Sequence, residues 1–266
     1  SQNEGQFGGV GLMLGIDAKK NVLKVESPIP GTPAWTAGLK ADDLILKIDD
    51  KSTEGMRVED ARGLIKGAPD TVVNLNVQTG DEKPRTVPLT RAVIAMHPVK
   101  GVSRDPADPT KWDYMVDPVD KIALVRLEGF NELTDKEMKL AVEAAKAAGA
   151  KGLVLDLREN PGGLLGQAVL VANMFIPDGT IVSTKDRNGS GKKWLADPKL
   201  VLWPTNYPLA VLVNGGSASA SEIVASAIQD NKRGVVIGDR TYGKGSVQKV
   251  FPLAHGKDAV KLTCEV

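Results

Sequence analysis

Three apolar runs in the second half of the chain constrain the fold most. They are Gly152-Leu153-Val154-Leu155-Asp156-Leu157, Leu209-Ala210-Val211-Leu212-Val213 and Gly234-Val235-Val236-Ile237-Gly238. Each is nearly continuous, as in strands covered on both faces. Helix-period stretches alternate with them: Thr134 to Ala148, Gly166 to Phe175 and Ser221 to Gln229. Thr134 reads as an N-cap, Glu137 as its capping-box partner and Gly149 as the stop. Ser221 reads as the cap of the third helix, since it precedes Glu222-Ile223-Val224. With a strand-like Ile122 to Leu127 ahead, this is an α/β arrangement with a mainly parallel sheet. Such sheets place their chemistry in the loops that follow the strands.

The first half has a different rhythm. Asn21 to Val25, Asp43 to Ile48, Val72 to Val77 and Thr86 to Leu89 read as short strands separated by Gly, Pro and Asp turns. Val58, Ala61, Leu64 and Ile65 give one helix over 58–65. This is a small β-rich module. Residues 94–120 are rich in Pro and Asp and read as a linker or irregular segment.

Composition narrows the chemistry. The 266 residues carry a net charge of +1 and only 4% aromatics. Neither a basic surplus nor stacking platforms speak for nucleic acid. One cysteine, Cys264, excludes an intramolecular disulfide and a multi-cysteine metal site. Two distant histidines, His97 and His255, give no basis for a metal centre or a default histidine base. No run approaches the roughly 18 apolar residues of a membrane helix, and the first residues do not form a signal peptide.

Three loops after the three apolar strands remain as candidates. The second, Asn214-Gly215-Gly216-Ser217-Ala218-Ser219-Ala220-Ser221-Glu222, surrounds its central hydroxyl with small residues. As a bare pattern it serves equally as a small-residue turn capped by Ser217 or Ser221, or as a turn presenting Ser219 as a nucleophile. In the second case amides at the helix start would face an oxyanion. The third loop, Gly238 to Gln248, offers Lys244 between Gly243 and Gly245 as a base, provided burial lowers its pKa. It nearly matches a P-loop, but Gly245 replaces the required Ser or Thr and an extended stretch follows instead of a helix. The first loop, Asn160-Pro161-Gly162-Gly163, is either a tight turn or a source of a second oxyanion donor from Gly162 or Gly163. Asp156 and Arg158 read as a structural ion pair or cap. At the start of the chain, Gly9-Val10-Gly11-Leu12 precedes a strand. A glycine loop beside a free strand edge can hold a terminal carboxylate on backbone amides and add the peptide as a strand, with the 58–65 helix as a wall.

Taken together, these segments resemble the carboxyl-terminal processing proteases, also called tail-specific proteases. Phe7–Leu12, Gly31–Ala34 and Ala37–Ile48 resemble that family's PDZ domain. Leu155–Leu164, Ser217–Ile223 and Thr241–Gln248 resemble its Asn-Pro-Gly-Gly turn and its two catalytic segments. The resemblance implies a multi-domain α/β protein: a PDZ-like domain over 7–93, a linker over 94–120, and a crotonase/ClpP-like serine-peptidase core over 121–266. It implies Ser219 as nucleophile, Lys244 as general base, Gln248 as support for the lysine, and Ala220 with Gly162 or Gly163 as the oxyanion hole. No metal and no cofactor is implied. The implied partners are proteins or peptides with free C-terminal tails, bound at Gly9, Val10, Gly11 and Leu12. The implied setting is the periplasm and cell envelope, or the thylakoid lumen. The resemblance also allows peripheral membrane association and oligomerisation of the full-length protein. Family members extend beyond both ends of this sequence, so a fragment short at both ends is expected. Arg57, Arg62 and Arg85 read as solvated surface residues, with coupling of peptide binding to the second half as their alternative role. The competing classes are an inactive PDZ-containing peptide binder and, further off, a crotonase-like acyl-CoA enzyme.

Overall fold

The computed structural model describes residues 6–252 and 259–265. The chain divides into two compact units, Ser1–Met96 and His97–Val266.

The first unit runs β1 (Gln6–Gly9), β2 (Leu12–Asp17), β3 (Val22–Pro28), α1 (Pro33–Thr36), β4 (Leu44–Ile48), β5 (Lys51–Ser52), α2 (Val58–Ile65), β6 (Val72–Gln78), β7 (Arg85–Thr90) and β8 (Ala92–Ala95). Its main sheet has the order β2-β3-β4-β6-β7, all antiparallel, with β5 paired to β4; β1 and β8 form a separate ribbon. The period of two predicts one buried face. In β6 it holds: Val73, Leu75 and Val77 are buried, whereas Val72 and Asn74 are exposed. α2 spans the residues its spacing predicts and buries Ala61 and Ile65. Glu59 and Asp60 in its first turn complement the positive end of the helix dipole.

The second unit begins with four short strands: β9 (Val99–Lys100), β10 (Ser103–Arg104), β11 (Trp112–Asp113) and β12 (Met115–Asp117). With the turns between them, these strands span 99–117 of the segment expected as a linker over 94–120. Their Asp residues close the turns between strands: Asp105 accepts from the Ala107 N–H, Asp108 from Thr110, and Asp117 from Val119 and Asp120. An Asp-rich stretch can thus encode tight Asx turns rather than a tether.

β13 (Ile122–Leu127), α3 (Thr134–Ala147), β14 (Gly152–Asp156), α4 (Leu165–Asn173), β15 (Thr180–Lys185), β16 (Gly191–Leu195), β17 (Leu209–Val213), α5 (Ala220–Asp230), β18 (Val235–Gly238), β19 (Val247–Pro252) and β20 (Ala259–Glu265) follow. The central sheet has the order β12-β13-β14-β17-β18. β13, β14, β17 and β18 are mutually parallel, while β12 and β9 flank β13 antiparallel. Val125, Leu155 and Val211 sit fully buried in the middle of the sheet, with Met138, Val171, Val224, Phe175 and Trp203 in the same core. Burying one such side chain stabilises by about 1.5–3 kcal/mol. The antiparallel ribbons β15–β16 and β19–β20 complete the unit.

Two helix starts differ from expectation. The N-cap of α3 is Leu133, not Thr134. Thr134 is fully buried and its hydroxyl instead bonds the loop before it, accepting from the Asn131 N–H and donating to Gly129 O. The N-cap of α5 is Ser219, not Ser221, because Ser221 turns inward to another loop.

Candidate active site

The loops after β14, β17 and β18 are joined by hydrogen bonds to one another. Ser217 and Ser221, the outer two of the three alternate serines, are fully buried. Ser217 Oγ donates to Leu157 O at 2.8 Å and Ser221 Oγ to Asn160 O at 2.9 Å. Both fasten the second loop to the first. Ser219 alone of the three is partly exposed.

Its backbone is also unlike that of its neighbours. Ser219 has φ 56° and ψ −112°, which a side-chain-bearing L residue seldom adopts. Such a conformation costs on the order of 1–3 kcal/mol and persists only where the surroundings hold it. Glu222, one helical turn on, supplies part of the hold. Ser219 and Glu222 stand in capping-box register, but only the carboxylate half reaches hydrogen-bond geometry: the Ser219 N–H donates to Glu222 Oε2 at 2.7 Å.

The same carboxylate collects the third loop. The Gly243 N–H donates to Oε1 at 2.6 Å and the Lys244 N–H to Oε2 at 3.0 Å. Ser219 and Lys244 are therefore main-chain neighbours across a single oxygen. Burial pushes the Glu222 carboxyl upward, but the N–H groups of Gly243 and Ser219, the Thr241 hydroxyl and the Lys244 N–H outweigh it and hold it below its ordinary value. In the sequence Glu222 reads only as the residue after a cap. The Ser-x-x-Glu spacing was the available signal for its first contact; nothing local signals its reach to Lys244.

The first loop closes over Ser219. A Cβ added to Gly162 would stand 2.6 Å from Ala218 O and 2.8 Å from both Ala220 N and Ser219 Cβ. Gly162 has φ 94°, so glycine is required there for space and for conformation. Its N–H is engaged, donating to Asn160 Oδ1 at 2.9 Å. Gly163 is different. Its bridge to Phe130 is made by the groups on either side: Phe130 N–H to Gly162 O and Leu164 N–H to Phe130 O. That leaves the exposed Gly163 N–H, like the Ala220 N–H at the start of α5, without a partner among the described residues. Two unpaired backbone donors thus lie on the segments that meet at Gly162.

Asp156 and Arg158 form the expected ion pair. Arg158 Nε and Nη2 reach the two carboxylate oxygens at 2.9 and 2.8 Å. Burial pushes the Asp156 carboxyl up, and the Arg158 guanidinium more than offsets this, holding it low. Lys244 is partly buried. Gln248 lies in β19, opposite Thr263; its side chain lies outside the described residues.

In the first unit, Gly9 ends β1 and Leu12 begins β2, an end strand of its sheet among the described residues. Val10 is buried, and its carbonyl accepts from the Ala34 N–H. Gly11 has φ 78°, and a Cβ there would meet Thr32 Oγ1 at 2.2 Å. The Val10 and Gly11 N–H groups have no partner among the described residues. α2 lies against β2 and β4. Arg57, Arg62 and Arg85 are all exposed.

The second unit is thus an α/β core that carries a glycine-framed serine turn, and a small β-rich unit comes before it in the chain. The profile of peptidase family S41 matches residues 121–266, and that of the PDZ domain matches residues 24–79. The chain belongs to peptidase family S41. It is 37% identical over 95% of its length to the carboxyl-terminal-processing protease of a Synechocystis strain, covering 56% of that protein. It is 34% identical over 97% of its length to the carboxy-terminal processing protease CtpA of Bacillus subtilis, covering 51% of it. The chain spans about half the length of these relatives. A solved photosystem II D1 C-terminal processing protease matches 98% of this chain and 67% of its own, at 34% identity and a TM-score of 0.52.

Proposed function

We propose that the whole protein is a serine endopeptidase that cuts proteins near their C-termini, with Ser219 as nucleophile and Lys244 as general base. One observation carries this reading: of three alternate serines, two are locked onto the first loop, and the third is held partly exposed at positive φ where two segments that each carry an unpaired backbone donor meet.

In the proposed reaction, neutral Lys244 Nζ takes the proton from Ser219 Oγ as the oxygen attacks a peptide carbonyl. The Ala220 and Gly163 N–H groups hold the oxyanion. The Gly162 N–H, already bonded to Asn160, serves the turn instead. The lysine ammonium then protonates the leaving amine, giving a free new N-terminus and an ester on Ser219. Water, deprotonated by Lys244, hydrolyses the ester and releases the new C-terminus. Gln248 supports the lysine. The substrate's tail adds to the β2 edge, and its carboxylate sits on the amides of the Gly9-Val10-Gly11-Leu12 turn. The substrates are proteins or peptides with free C-terminal tails.

We also place the full protein outside the cytosol, in the bacterial envelope or a thylakoid lumen. Bacterial and chloroplastic relatives support this. No helix among the described residues is long and apolar enough to cross a membrane.

Fluorophosphonate labelling of the full-length protein tests the nucleophile. Ser219→Ala should abolish labelling and turnover, and labelling that survives it overturns the assignment. Lys244→Ala should remove turnover while tail-peptide affinity stays.

A further inference from the structure

Asn160 has no role in the chemistry proposed above, yet it is fully buried at the centre of the loops that carry it. Its Nδ2 donates to Leu127 O, the last residue of β13, at 2.7 Å. Its Oδ1 accepts from the Gly162 N–H at 2.9 Å. Its backbone carbonyl accepts twice from the second loop, from the Ala218 N–H at 3.0 Å and from Ser221 Oγ at 2.9 Å. One residue thus joins the C-terminal end of β13, the glycine turn after β14 and the serine turn after β17.

The orientation of the amide is fixed by its partners. Leu127 O can only accept and Gly162 N–H can only donate, so the nitrogen must face β13 and the oxygen the turn. This has a consequence for the turn. With the Gly162 N–H drawn inward to Asn160, the next peptide carries the exposed, unpaired N–H of Gly163. On the other side, the Asn160 carbonyl holds the residues on both flanks of Ser219–Ala220.

We propose that Asn160 is a positioning residue. It aims the Gly163 and Ala220 amides at a common oxyanion by tying the first loop and the second to the end of β13. The inference rests on the reading of Ser219 as nucleophile.

The near-isosteric Asn160→Asp variant tests it in the full-length protein. A protonated aspartic acid can still donate to Leu127 O while accepting from the Gly162 N–H. An aspartate presents oxygen to oxygen at Leu127. The ratio of variant to wild-type fluorophosphonate labelling should therefore be highest at acid pH and fall as the buried carboxyl ionises. A ratio that does not change with pH overturns the inference. Asn160→Ala should lower kcat roughly 10²-fold, as loss of an oxyanion donor does. KM should stay within about twofold, and binding of a peptide boronate should weaken in step with kcat. Wild-type kcat in a folded Asn160→Ala protein also overturns it, and should that variant not fold, the Asp ratio decides. Ser219→Ala, run alongside, separates the two claims. Residual cleavage in Ser219→Ala refutes the nucleophile itself, while a dead Ser219→Ala beside a pH-independent Asp ratio refutes only the role of Asn160.

Discussion

Two helices of the second unit open on the same four-residue pattern, Thr134-Asp135-Lys136-Glu137 and Ser219-Ala220-Ser221-Glu222. Both match a capping box, and neither simply caps. At α3 the threonine lies inside the helix and bonds backward to Asn131 and Gly129. The freed Glu137 turns to the start of the unit, pairing with His97 Nδ1 at 2.5 Å and accepting from the Val99 N–H at 3.4 Å. At α5 the serine is the cap, in a strained conformation, and Glu222 spans from its N–H to two amides of the third loop. The local pattern supplies a carboxylate at a helix start. The segment lying across from that carboxylate decides whether it fastens a connection or frames a site.

Breaking the α5 side should have the largest effect. Glu222→Ala strands three backbone N–H groups and releases Ser219 and Lys244 from their shared oxygen. Turnover should fall by roughly 10²-fold, read as the rate of fluorophosphonate labelling, while tail-peptide affinity holds. Unchanged labelling would show that Glu222 is only a cap. The same carboxyl has a pH signature. Its value in the folded protein is depressed, so its stabilisation is present above the ordinary carboxyl value of 4.5 and is lost as pH falls through the depressed one. Acid melting curves of Glu222→Gln should lack that part of the acid limb.

Next in size is Thr134→Val. It removes a fully buried hydroxyl from two backbone partners. It should cost about 1–3 kcal/mol in urea unfolding with labelling of the remaining folded protein unchanged. A loss of labelling without a loss of stability would erase the contrast between the two helix starts.

The smallest effect belongs to Glu137→Gln. The hydrogen bond to Glu137 raises the His97 pKa above its ordinary 6.5, against the opposing pull of burial and Arg104. A raised histidine stabilises below its unfolded value and stops doing so as pH rises through the folded one. The His97 side chain is 55% exposed, so solvent screening limits the pair to under about 1 kcal/mol. Nuclear magnetic resonance should show the His97 titration moving to lower pH in Glu137→Gln; an unmoved titration would mean that the pair does not form in solution.

The parts of the fold that were legible from sequence share a cause. α2 and the strands β14 and β17 carry apolar residues at the spacing of their own geometry, so burial repeats within the element; β18 reads equally apolar but is an end strand among the described residues, and its Val235 and Ile237 are exposed rather than covered on both faces. β10 and β11 carry no such spacing. Their pairing is main-chain pairing between Ser103-Arg104 and Trp112-Asp113, set by Asp turns that look like linker. β16 is equally unmarked, because its Gly191-Lys192-Lys193-Trp194-Leu195 is exposed but for the half-buried Trp194. At the candidate site, Ser219, Lys244 and the glycine pair could be picked out by residue type and loop position. Glu222 and Asn160 could not, since beside their local contacts each has partners far along the chain, Gly243 and Lys244 for Glu222 and Leu127 for Asn160. The choice of Gly163 over Gly162 depends on where one amide hydrogen goes, and an Asn-Pro-Gly-Gly string does not encode that by itself.

The third loop is held by amide-to-carboxylate and amide-to-carbonyl bonds, Gly243 and Lys244 on Glu222 and Tyr242 on Ser217 O, while Tyr242 as a whole is 71% exposed. Letting that loop go would uncover almost no hydrocarbon. Its opening should therefore depend only weakly on urea, with an m-value far below that of global unfolding, and with little change in heat capacity. Amide exchange at Tyr242, Gly243 and Lys244 would then run through a local opening reached long before the sheet loosens. Lys244 and its loop would then come and go as a small enthalpic latch on a core that stays shut.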